Sequence, residues 1–394
     1  MSSEIVIIDG ARTAIGRFGG ALKDLTVVDI GAVAARGALE RSGVGADAID
    51  EVILGHARQA GNGPNPARLA AIKAGIPADK PAFSVQQACI AGLKSVMLSA
   101  QSIALGEAEV VLAGGMEHHS SIPFLSPHTR WGARLGDVSL VDAMYKDGYI
   151  CGVEGKHMGE MTDELAQRYG ITREEQDRFA LASQQRCDRA RKEGFFAQTI
   201  VPVEIKQPRG APVLFQEDEH PRPDTTLESL AKLPTAFRKE GTITAGNASG
   251  ITDGACALVV MSRERAQARG LKPLGVIRSY AVAAVEPRDF ALGPVPAVRK
   301  ALAKAGLSLQ DIDFIEINEA FAAMVLAVMR ELDLDHAKVN VNGGAIALGH
   351  PTGMSGARIL LELLYTLKAR GGRFGMATLC GNGGHGGAMV VEAA

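Results

Sequence analysis

Ala38-Leu39-Glu40-Arg41-Ser42-Gly43, running on through Ile49-Asp50 to Val52-Ile53-Leu54, has a second copy in the same chain: Ala301-Leu302-Ala303-Lys304-Ala305-Gly306, running on through Ile312-Asp313 to Ile315-Glu316-Ile317. The two stretches stand at a constant offset of 263 residues. Each reads as a helix ending on glycine, a short loop and an apolar strand. The next elements recur as well. A strand at 83–85, or at 339–341, leads through a turn into the helical patterns 93–104 and 357–368, and these lead to the apolar runs 109–113 and 374–379. Helices alternating with short buried strands predict an α/β fold, and the recurrence predicts a duplicated one. The first copy occupies residues 1–118 and 245–271, the second 272–394. Between them, residues 119–244 hold Trp131, many charges and the proline-bearing stretch 207–223, and read as a long loop insertion of the kind that covers a binding site. A duplicated chain brings equivalent turns together across a pseudo-twofold axis, so a site there draws residues from both copies.

Composition narrows the function. A chain of 394 residues, 46% hydrophobic and 22% charged, is a soluble globular protein large enough for two packed units. Its 46 glycines imply many tight turns, or backbone lying close to a ligand. A net charge of −2, with no basic cluster interleaved with aromatics, speaks against nucleic acid as a partner. Met1-Ser2-Ser3-Glu4 passes straight into Ile5-Val6-Ile7-Ile8, too short a run for a signal peptide or a membrane span, and Val391-Glu392-Ala393-Ala394 is neither a lipidation box nor a peroxisomal address. A cytoplasmic enzyme is expected. The five cysteines, 89, 151, 187, 256 and 380, are odd in number and scattered, which argues against a disulfide framework.

Four positions invite chemistry. Cys89 stands where the strand ending Ser84-Val85 gives way to the helical pattern, and the free N–H groups of a helix start favour thiolate, so its pKa is expected below the ordinary value. The same position also suits a buried packing cysteine. His350 ends the small-residue run Asn342-Gly343-Gly344-Ala345-Ile346-Ala347-Leu348-Gly349, again at a helix start, where a neutral imidazole able to accept a proton is favoured. Cys380 follows the run 374–379 and opens Gly381-Asn382-Gly383-Gly384-His385. Asn318 follows the apolar strand 313–317, where its amide can fix a water or a carbonyl, or simply form a turn. Gly381-x-Gly383-x-x-Gly386 satisfies a dinucleotide fingerprint, but the chain ends too soon for the helix and acidic residue that motif needs. Cys380 and His385 lack the second close pair of a zinc site, and no metal is expected.

Taken together, these segments resemble the thiolase family over almost the whole chain. The resemblance rests on Asn318-Glu319-Ala320-Phe321, Gly343 to Pro351, Gly246-Asn247-Ala248-Ser249-Gly250 with Asp253-Gly254, and Val111-Leu112-Ala113-Gly114-Gly115-Met116-Glu117. It is extended by Asp9-Gly10-Ala11-Arg12-Thr13-Ala14-Ile15-Gly16 and by 59–68. The resemblance implies a thiolase-like fold of duplicated αβαβα layers. It makes Cys89 the acyl-accepting nucleophile, His350 its activator and Cys380 the acid/base at the α-carbon of acetyl-CoA. Asn318 would hold a water beside the His350 ring, and backbone N–H groups of Cys89 and Asn382 would form a second oxyanion hole. His157, Met158, Arg222, Ser229, Ala245, Gly246, Ser249, Ala320 and Phe321 align with positions that meet CoA or the acyl group. Coenzyme A and acetyl-CoA enter as substrates rather than as a resident cofactor, and a homodimer or homotetramer is implied.

The residues around Trp131 and 140–144 look most like the short-chain members, which act on acetoacetyl-CoA. The alternatives are a broader 3-ketoacyl-CoA thiolase and a catalytically silent acyl-CoA-binding relative. Three departures stand out. Ile90-Ala91-Gly92 replaces a usual Gly-Ser-Gly after the nucleophile and places bulk where the acyl pocket is expected; Asn382 and His385 interrupt a usual glycine run; and His118 replaces a common Asn.

Overall fold

The computed structural model describes residues 4–394. Met1, Ser2 and Ser3, read above as leading directly into the first strand, lie outside the described residues. Nine strands carry the architecture: β1 (Ile5–Thr13), β2 (Glu51–Gly55), β3 (Ala82–Val85), β4 (Val110–His118), β5 (Thr252–Ser262), β6 (Gly275–Ala284), β7 (Phe314–Ile317), β8 (Phe374–Gly381) and β9 (His385–Ala393). They lie in the order β7-β8-β9-β6-β1-β5-β4-β2-β3. Read from its two ends, this order shows the duplication: β2-β4-β5-β1 in one half answers β7-β8-β9-β6 in the other. The halves join where β1 meets β6 antiparallel, Val6 opposite Val276 and Ile7 opposite Gly275. The counterpart of β3 is reduced to a single bridge between Ile315 and Val339, so the strand expected at 339–341 does not form a ladder.

Helices fill the remaining layers. Val27–Ser42 covers the outer face of β1 and β5, and Pro294–Ala305 covers β6 and β9. Between the two half-sheets run Ala91–Ala104 and Thr352–Arg370, completing the αβαβα order. The second of these is buried on every side from Thr352 to Leu367, as its run of Leu, Ile and Ala demands. The two central helices touch through glycine. A Cβ on Gly92 would stand 2.7 Å from Gly353 O, and one on Gly356 would stand 2.4 Å from Leu93 N. This contact sets the N-termini of both helices side by side, and Cys89 and His350 immediately precede them.

Strands outrun their apolar signals. β4 continues past residue 113 to His118 because it pairs with β5 throughout, Asp253 opposite His118. β8 pairs with β9 as far as Gly381, which places Cys380 inside the strand. Backbone pairing needs no apolar side chain, so the glycine-rich ends carried no periodicity. The insertion differs from expectation more deeply. It contains the helices Met158–Arg168 and Arg173–Lys192, and Met158, Met161, Leu165 and Phe179 join a core with Ile315, Met324 and Cys380. The insertion therefore carries two packed helices alongside its irregular stretches.

Candidate active site

A cavity of about 810 Å³ opens where the two central helices begin. Cys89, His350, Cys380 and Asn382 all line it, together with His157, Met158, Ala245, Ser249, Ala320 and Phe321. Four expected positions do not line it. Asn318 lies behind His350, its amide nitrogen 3.3 Å from Nε2 and its Oδ1 buried without a hydrogen bond. Arg222 and Ser229 are exposed, and the Ser229 backbone and side chain close a capping box with Thr226. Gly246 is kept small by Leu230 and Leu233, whose side chains stand within 2.6 Å of where its Cβ would fall.

The turn that presents Cys89 is strained. Ala88 has φ +47°, a left-handed conformation that non-glycine residues adopt at a cost, and the helix starts two residues after the thiol at Ala91. Such strain is a recurrent mark of functional turns. Burial pushes the Cys89 thiol up to about 11, against the opposing pull of the Arg58 charge. This overturns the expectation of a depressed value: the helix start is there, but the thiol is packed out of water, and the loss of hydration outweighs it. The Cys380 thiol is likewise raised well above its ordinary value, by burial and by Cys89, and its Sγ donates to Met324 Sδ at 3.2 Å.

His350 lines the same cavity as a base suited to relieve this. Burial, then the charges of His119, Arg58 and Arg358, push its imidazole down to about 3, so it is neutral, in agreement with the sequence reading. Ser355 Oγ donates to Pro351 O at 2.9 Å and accepts from His350 Nδ1 at 2.6 Å. That arrangement puts the ring proton on Nδ1 and leaves Nε2 as the acceptor.

Behind the histidine stands a carboxylate that sequence reasoning quoted but did not use. Glu117 is fully buried at the end of β4 and accepts from Gly353 N (3.0 Å), Ala57 N (3.2 Å), Arg58 N (3.3 Å) and Thr352 Oγ1 (2.5 Å). Burial disfavours its charge, but His56, His119 and Arg58 overcome this and hold it well below the usual carboxylate range. It thereby ties the first half of the molecule to the residues following His350. The signal was available: a lone carboxylate closing a wholly apolar strand must find partners. Of the aromatic wall, the sequence reading named His157 and Phe321 but not Tyr145, Tyr149 or Phe237. Tyr145, Tyr149, His157, Phe237 and Phe321 follow one another at ring separations of 4.6–6.0 Å. His157 also caps its helix, Nδ1 accepting from Gly159 N at 3.0 Å.

Ile90 is placed differently from expectation. It is fully buried and does not line the cavity; its branches occupy the space above Gly381 and Gly387 in β8 and β9. The bulk after the nucleophile is absorbed by the opposite half-sheet. His118 is also buried, its Nε2 2.9 Å from Leu22 O.

The family profiles described as "Thiolase, N-terminal domain" and "Thiolase, C-terminal domain" match residues 5–264 and 271–393. The chain belongs to the thiolase family. Among its relatives, an acetyl-CoA acetyltransferase of Cupriavidus necator is 50% identical over 390 residues, covering 99% of each chain. One from Escherichia coli is 50% identical over 388 residues, covering 98% of each. The crystal structure of the Bacillus anthracis acetyl-CoA acetyltransferase superposes with a TM-score of 0.97 at 46% identity, over 100% of this chain and 99% of that one. The human mitochondrial 3-ketoacyl-CoA thiolase in complex with CoA gives 0.96 at 41% identity, over 100% and 98%. The αβαβα layering of this thiolase is therefore the fold its sequence predicted. Among the described residues, no group of three or more His, Cys, Asp or Glu is arranged to hold a metal ion, and no helix is long and apolar enough to cross a membrane.

Proposed function

We propose that this thiolase interconverts two acetyl-CoA with acetoacetyl-CoA and CoA through an acyl group carried on Cys89. The observation that carries the reading is the convergence of two buried thiols and a neutral imidazole on one cavity. Neither thiol is ionised at rest, so each proton needs a receiver. In the condensing direction, His350 Nε2 takes the Cys89 proton as Sγ attacks the thioester carbon of acetyl-CoA. The departing CoA thiolate takes the Cys380 proton, leaving acetyl-Cys89, an imidazolium and a Cys380 thiolate. That thiolate removes the α-proton of a second acetyl-CoA, and the resulting carbon attacks the acetyl group. The C–C bond forms, the Cys89–acyl bond breaks, and the imidazolium returns its proton to Cys89. Cleavage is the same path reversed.

Charge develops on two carbonyl oxygens. We assign one to the backbone N–H groups of Cys89 and Asn382, and the other to His350 with a water held by Asn318, whose unbonded Oδ1 supports that role. One such donor lowers the barrier by about 2.7–4 kcal/mol. His157, Met158, Ala245, Ser249, Ala320 and Phe321 are assigned to the pantetheine arm and acyl group, and exposed Arg222 and Ser229 to the nucleotide end beyond the cavity. Residues 1–118 with 245–271, and 272–394, are taken as the two core domains, with 119–244 as the cover. Coenzyme A is a substrate here, the protein is placed in the cytoplasm, and a homodimer or homotetramer is expected. Trp131 and Leu135, each 93% exposed in the cover, support association.

A chain-length series on purified protein tests the substrate. Acetoacetyl-CoA should be cleaved by CoA faster than 3-ketohexanoyl-CoA. Faster turnover of the six-carbon substrate would make the broader 3-ketoacyl-CoA reading correct, and no cleavage of either would leave only acyl-CoA binding.

A further inference from the structure

One of the cover segments that reach the cavity is held by both halves of the duplicated core. Tyr145–Tyr149 forms a single π-helical turn, closed by Ile150 N donating to Tyr145 O at 2.9 Å, and every residue from Tyr145 to Ile150 lines the cavity that the two thiols also line. Isolated π turns are uncommon and are often found at functional sites. From the first half, the Arg58 guanidinium sits 5.0 Å from the Tyr149 ring centroid and lies so near Gly148 that a Cβ there would stand 2.3 Å from Nε. From the second half, Asn382 Nδ2 donates to Gly148 O at 2.7 Å and reaches Ile150 O at 3.4 Å. Asn382 stands two residues after Cys380, in the β8–β9 turn. The cavity wall is thus tied to the turn that follows the second thiol.

We propose that the Asn382 amide is a specificity-determining latch: by holding the 145–150 wall against the Cys380 turn, it limits the length of the acyl group that Cys89 accepts. The inference rests on the thiolase reading above. A glycine or alanine here keeps the backbone N–H but releases the two carbonyls, and a loosened wall leaves room for further methylenes. Binding discrimination of a methylene or two is modest, so the effect is read in the ratio of the rates on two chain lengths, whatever the substitution does to the rate itself.

The test compares CoA-dependent cleavage of 3-ketohexanoyl-CoA and acetoacetyl-CoA by the full-length wild type, Asn382→Ala and Asn382→Asp. The readout is the ratio of the two kcat/KM values on one preparation, which cancels any misfolded fraction. Aspartate matches the size of asparagine but has no N–H to give, so both variants should raise the six-carbon to four-carbon ratio by about fivefold or more. An unchanged ratio in both overturns the latch. A ratio raised only in Asn382→Ala also overturns it, because side-chain volume and not the amide would then set the limit. If the wild type cleaves neither substrate, the thiolase reading fails before the latch is reached.

Discussion

His350 shows how much of this site depends on burial. Its imidazole titrates near 3 in the folded chain, against an ordinary 6.5 in the unfolded one. Between those values the unfolded chain binds a proton that the folded chain does not. The stability of the neutral buried ring is therefore fully present above about pH 6.5 and erodes as pH falls toward 3, by about 1.4 kcal/mol per unit. Replacing it by Asn should remove that slope. Urea unfolding at pH 7.5 and 5.5 should show the wild type losing about 1 kcal/mol more than His350→Asn; equal losses would mean that the ring is not held neutral. The sequence displayed Cys89 and His350 as candidates because each stands at a strand or loop giving way to a helix. It could not display the sign of the Cys89 shift. That sign comes from burial of the thiol, in a core that residues from both halves of the chain build.

At the scale of elements, the deciding feature is the glycine contact between Ala91–Ala104 and Thr352–Arg370. Gly356 has no room for a methyl beside Leu93 N, so Gly356→Ala must push the two helices apart. Overpacking of this kind costs about 1–3 kcal/mol. Because the same helices set Cys89 beside His350, kcat should fall by about tenfold or more, since small misplacements of reacting groups cost that much. A variant with reduced stability but full kcat would show that the helix contact does not position the pair. The helices and buried strands were legible from their periodicity. The true ends of β4 and β8 were not, because ladder pairing continues through residues with no apolar side chain. The helices of the cover were missed for a related reason: half of Arg173–Lys192 is charged, and its buried residues gain meaning only against Ala322–Leu332 and Ala345–Leu348 of the second half.

On the scale of the whole molecule, the duplication turns one chain into a facing pair. The offset between 38–54 and 301–317 was enough to predict equivalent turns meeting, and the sheet order with its two answering halves agrees. What the repeat did not reveal is how the halves are tied. Glu117 reaches from β4 to Gly353 of the second half, and Ile90 fills the space over Gly381 and Gly387. The central claim is that each half supplies one thiol with its own task. Intact-mass measurement of the purified protein after incubation with acetyl-CoA tests it most directly. The account predicts that Cys380→Ser gains one acetyl group yet forms no acetoacetyl-CoA, whereas Cys89→Ser gains none. Equal loss of acetylation in both variants, or acetylation of Cys89→Ser, would contradict it.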